Sequence, residues 1–103
     1  MGIYQLVPLF APGDLLVSPE VLNSAINYQR LLRRHLSGDW GEICNYDKEE
    51  NRRALEADEA VISQYCVNQS GGDSAILCIM TEARRIHTVV FFLTDDMRLH
   101  ESS

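Results

Sequence analysis

AVISQYCVNQSGGDSAILCIMT, residues 60–81, decides the fold. Its flanks, Ala60–Asn68 and Ser74–Thr81, are rich in β-branched and apolar residues. Between them Gln69-Ser70-Gly71-Gly72-Asp73 has the composition of a hairpin turn. Glu82-Ala83-Arg84-Arg85-Ile86 then turns the chain into a third apolar run, His87–Thr94. The expectation is a three-stranded antiparallel meander with Ser74–Thr81 at its centre. Ala75, Leu77 and Ile79 face one way in that strand, and Ile76, Cys78 and Met80 the other. Val89, Phe91 and Leu93 likewise oppose Val90 and Phe92. Both faces are apolar, so both call for a cover. Helices supply one. The N-terminal segment, a second copy in a homodimer, or a partner are the alternatives for the other.

Upstream, Ser18-Pro19-Glu20 is a helix start, with Ser as N-cap and Pro at the first helical position. Val21, Ala25, Tyr28, Leu32 and His35 recur at helical spacing, Leu22, Ile26 and Leu36 widen the stripe, and Gly38 ends it. This predicts one helix from Pro19 to about Leu36. Asp47 is a suitable N-cap for a second helix, Lys48 to Asp58, with Glu50 at the capping-box position. Its apolar face is thin: Ala54, Leu55, Ala57. Ahead of both, Ile3–Phe10 and Leu15–Val17 are apolar runs separated by the turn Ala11-Pro12-Gly13-Asp14, giving a short strand or loose hairpin. The expected fold is a single α+β domain over residues 1–95. Two helices pack on a three- to four-stranded, mainly antiparallel sheet, and residues 96–103 form a polar tail.

The chain has 103 residues, 46% hydrophobic and 23% charged, with nine Lys and Arg against fifteen Asp and Glu. The net charge of −6 argues against a general nucleic-acid binder and against a polybasic membrane-surface protein. No signal peptide, myristoylation signal or membrane-spanning run is evident, so a cytoplasmic location is expected. Cys44, Cys66 and Cys78 form no C-x-x-C pair and read as reduced, buried apolar residues. A zinc site from Cys44 and His35 matches no standard spacing. No cofactor motif is present. The acidity is concentrated: residues 39–59 hold eight acids against three bases.

The strongest polar cluster is His35, Asp39, Trp40, Asp47 and Asn51. Asn51 falls on the inward face of the second helix, four residues from both Asp47 and Leu55. In one reading Asn51 and Asp39 pin the Trp40 loop by bonds to backbone groups. In a second, Asp39, Trp40, Glu42, Asp47 and Asn51 form a protein-recognition surface. A third builds a metal or hydrolytic site from His35, Asp39, Asp47 and Glu82. Separately, Arg30, Arg33 and Arg34 cluster near a helix C-terminus, where the dipole favours cations. With Arg84 and Arg85 they could make a phosphate or nucleic-acid patch. The carboxylates of 39–59 could in turn imitate DNA phosphates toward a basic groove.

His35-Leu36-Ser37-Gly38-Asp39-Trp40-Gly41-Glu42, then Asp47-Lys48-x-x-Asn51, Ser63-x-Tyr65 and Thr81-Glu82-Ala83 with Thr88, form an ordered motif set. The set resembles that of a family of small bacterial proteins borne by plasmids, phages and conjugative elements, over roughly residues 8–94. Arg84 stands where that pattern has Asp, and its Trp before Thr81 and its terminal P-x-E-Y are missing. The family carries no settled activity. The restriction-modification label sometimes attached to it finds neither a Gly-rich cofactor loop nor an N-P-P-Y block here. The resemblance implies a non-enzymatic regulatory protein of a mobile element. Such a protein would contact a host or element protein, for instance to inhibit restriction or CRISPR-type defence.

Overall fold

The computed structural model describes residues 8–69 and 72–94. The runs at residues 3–7 and 95–103, and part of the Gln69–Asp73 turn, lie outside them. Four strands form one mixed sheet: β1 (Asp14–Val17), β2 (Val61–Asn68), β3 (Ser74–Thr81) and β4 (His87–Phe92), in the order β1-β4-β3-β2. The meander is antiparallel, with Ser63 opposite Ile79 and Ile79 opposite Val90. β1 adds in parallel to β4, Leu16 against Val89, so among the described residues the upstream segment makes one strand.

Three helices, α1 (Pro19–Leu22), α2 (Tyr28–Leu36) and α3 (Asn45–Ala57), pack against the sheet where two were expected. The long helix breaks because Ser24 competes for its own backbone. Its hydroxyl donates to the Val21 carbonyl (2.7 Å) and accepts from the Ile26 N–H (3.3 Å). Asn27 then caps a new helix through the Arg30 N–H. The second helix starts earlier than Asp47. Its N-cap is Cys44, which makes no capping bond, and Asp47 sits in the first turn, favourable to the dipole. The cysteines also differ from expectation, since only Cys78 is buried.

The helices cover one face. Val21 and Leu31 meet Tyr65, Leu77, Ile79 and Val90 in the main core, and Trp40, Ile43, Ala54 and Val61 form a second cluster beside it. The described part of the N-terminal segment lies on this same side: the Leu9 N–H donates to the Leu36 carbonyl, and Phe10 packs edge-on to His35. The core clusters of the described residues take no side chain from the other face.

β2 is an edge strand whose outward groups at Ile62 and Gln64, with the Cys66 N–H, are nevertheless paired. The Asn51 amide bonds both ways to Ile62, Nδ2 to the carbonyl (2.7 Å) and Oδ1 from the N–H (3.1 Å). Gln64 donates to the Trp40 carbonyl and accepts from the Glu42 N–H, and the Cys66 N–H donates to Glu42 Oε2. Residues 40–42 thus act as a short parallel strand. Gly41 permits it: its φ is +74°, and a β-carbon there would lie 2.1 Å from the Gln64 oxygen. Gly72 has φ +89° with nothing within 4 Å. Gly72→Ala should therefore cost only the left-handed strain, about 1–2 kcal/mol. Gly41→Ala should add overpacking of about 1–3 kcal/mol more. Urea unfolding of the two variants measures the difference; equal losses would contradict the tight approach at Gly41.

Candidate functional site

His35, on the inward face of α2, lies at 0% exposure between the helix and the sheet. Nδ1 is 2.6 Å from Ser63 Oγ and Nε2 is 2.9 Å from Thr81 Oγ1. Thr81 Oγ1 is 2.7 Å from Thr88 Oγ1, which donates to the Pro12 carbonyl. That carbonyl can only accept, so the proton positions follow in sequence. Thr88 spends its proton on Pro12 and accepts from Thr81. Thr81 then accepts from His35 Nε2–H, and Nδ1 accepts from Ser63. Burial, reinforced by the Arg85 charge, pushes the His35 pKa down to about 3, so the ring is neutral.

A serine hydroxyl 2.6 Å from a neutral imidazole has the ground-state geometry of nucleophile and base. Here Ser63, Thr81 and Thr88 are also fully buried, so no substrate reaches the pair. The arrangement instead ties α2, β2, β3, β4 and the Pro12 segment together. The sequence contained one signal for it: Ser63 and Thr81 are polar residues at inward positions of otherwise apolar strands.

The remaining cluster residues go to separate neighbourhoods. Asp39 accepts two bonds from the Arg34 guanidinium (2.7 and 3.2 Å), which holds its carboxyl below the usual range. Arg34 also lies over the Tyr65 ring, 4.8 Å from its centroid. Tyr65 donates to the Asp39 carbonyl at 2.6 Å, and burial raises its phenol to about 12. Trp40 and Asn51 are each 5% exposed, Asn51 on the β2 edge. Glu42 and Asp47 are on the surface, the first bonded to the Cys66 N–H and the second accepting from Cys44 Sγ. Glu82 pairs with His87. The proposed metal or hydrolytic set of His35, Asp39, Asp47 and Glu82 is therefore not brought together. Among the described residues no group of three His, Cys, Asp or Glu could hold a metal ion.

The arginines do not assemble into one patch either. Arg34 is engaged with Asp39. Arg85 donates to the Ala54 and Glu59 carbonyls at the end of α3 and covers Phe10, 5.1 Å from its centroid. Arg84 and Arg85 both adopt left-handed backbone, fixed by the Arg84 N–H on the Asp58 carbonyl and the Arg85 N–H on the Glu82 carbonyl. Arg30 and Arg33 remain exposed on α2, and Arg84 is exposed in its turn. On α3, Glu49 pairs with Arg52 and Glu50 with Arg53, so part of the acidity of residues 39–59 is neutralised locally.

Two surface features remain. One is the open sheet face: Leu16 and Ile62, 51% and 38% exposed, flank half-buried Ile76, Met80, Val89 and Phe91 around Cys78. The other is a cleft of about 400 Å³ over Trp40. A larger cleft beside the helix break, about 540 Å³, has Glu20 as its one charged wall residue among the described residues. Compared with family models, with curated proteins and with solved structures, the chain matches none.

Because His35 is neutral when folded and protonates near 6.5 when unfolded, the unfolded chain alone takes up this proton between about pH 3 and 6.5. Its contribution is fully present above that window and falls on acidification, by up to about 1.4 kcal/mol per pH unit. Urea unfolding at several pH values across about pH 4–6 should show His35→Gln with the shallower dependence. Equal slopes would contradict a buried neutral ring.

Proposed function

We propose that the chain is a non-enzymatic binding protein that acts by contact with another protein through the open face of its sheet. The observation that supports this is the apolar row Leu16, Val89, Met80 and Ile62 across that face, exposed at Leu16 and Ile62 and half-buried between them. Contiguous exposed apolar surface is where contact gains most free energy from releasing water. On the resemblance to mobile-element proteins, the partner is a host or element protein. Inhibition of a restriction or CRISPR-type defence complex is the most concrete form of that reading.

No helix among the described residues is long and apolar enough to cross a membrane. A second copy of the chain is the other reading, since the same apolar face could pair two sheets.

Substitution at the exposed positions should leave the fold within about 0.5 kcal/mol of the parent. The test is affinity capture from bacterial lysate with the parent chain and with Leu16→Lys/Ile62→Lys, matched for unfolding midpoint. The expected result is a captured protein lost with the variant. Equal capture would place the contact elsewhere. A solution mass of two chains, reduced to one by the same substitutions, would assign the face to a second copy. Trp40→Ala is unsuitable as the recognition variant, because Trp40 belongs to the core.

A further inference from the structure

Among the described residues one buried side-chain polar atom has no hydrogen-bond partner, the indole Nε1 of Trp40. An indole N–H can only donate, and leaving a buried donor unpaired costs about 1–3 kcal/mol. Trp40 lines the cleft of about 400 Å³, within the range of roughly 300–1,000 Å³ usual for small-molecule sites. Gly38 shares that wall. Where its β-carbon would stand, Leu9 Cδ1 is 3.0 Å away and Trp40 Cζ2 is 3.9 Å away. Cζ2 is two bonds from Nε1, so it is the Leu9 side chain that fills the place beside this edge of the ring, and a ligand reaches the donor by displacing it. Leu9 is 57% exposed and free to change rotamer.

The rest of the wall defines what would fit. Leu9, Leu55 and the indole are apolar. Lys48 is half-buried and forms no ion pair among the described residues, whereas Arg52 shares its charge with Glu49. Asp39 is also in the wall, kept ionised by Arg34. The cleft therefore offers a hydrogen-bond donor and a positive charge, Lys48, that is in no close ion pair among the described residues and acts on Asp39 only through space. A dianionic phosphate would meet Asp39 at close quarters. A monoanion with an apolar body meets complementary chemistry throughout.

We propose that this cleft binds a small organic carboxylate, its oxygens taking the Trp40 indole N–H and the Lys48 ammonium and its apolar body lying between Leu9 and Leu55. This does not depend on the sheet face or on any protein partner. The chain has one tryptophan, so a single indole N–H resonance reports the site. Titration of the folded protein with benzoate should shift that resonance saturably. Lys48→Gln, a surface change that leaves the other amide resonances in place, should weaken binding about tenfold. Inorganic phosphate should bind more weakly than benzoate. The proposal is overturned if millimolar benzoate leaves the indole resonance unmoved, if Lys48→Gln binds as tightly as the parent, or if phosphate shifts the resonance as strongly as benzoate.

Discussion

An edge strand must find partners for its outward N–H and C=O groups, and the rest of this molecule is arranged around how β2 does so. Ile62, Gln64 and Cys66 present their polar backbone away from β3. Asn51 answers the first, residues 40–42 the second, and the Glu42 carboxylate the third. Left bare, this edge would be a template for pairing with another chain. Covering it fixes where the Trp40 loop runs and draws α3 onto the sheet. It also explains a glycine at position 41, where the two backbones come too close for a side chain.

The His35 chain of hydrogen bonds does for the interior what Asn51 does for the edge. A ring with two nitrogens between a helix and a sheet must satisfy both, and it does so with hydroxyls from two strands. Because each hydroxyl has one proton, the direction of every bond follows from the Pro12 carbonyl at the end. Such a network is sensitive to any member that is lost. In this arrangement His35, Asn51, Ser63, Tyr65, Thr81 and Thr88, the residues that carry the motif pattern, serve the fold.

Much of the fold was legible because strand periodicity and turn chemistry agree over residues 60–94. The meander follows from that agreement, and the inward position of Asn51 follows from its helical spacing to Leu55. The helix break was not legible, since Val21, Ala25, Tyr28 and His35 keep helical spacing across it. The competing hydroxyl of Ser24 is a local effect that periodicity does not register. The early start of α3 was missed because Cys44 is a poor N-cap by type and tertiary packing of Ile43 and Trp40 sets the entry. Arg85 looked like a free cation. Its use at the end of α3 depends on a left-handed turn that two arginines give no reason to expect. The cleft is equally a tertiary product, joining the loop after α2 to one face of α3.

The central claim is that the Trp40 loop and Asn51 close the β2 edge, so that the Asn51 side chain and the backbone of residues 40–42 are committed to structure. Native-state amide hydrogen exchange tests it residue by residue. The account predicts that the Ile62 and Gln64 amides are protected to within about tenfold of Leu77 and Ile79 in the central strand. Rapid exchange at Ile62 and Gln64 while β3 stays protected would contradict it, because those amides would then face solvent as on any open edge.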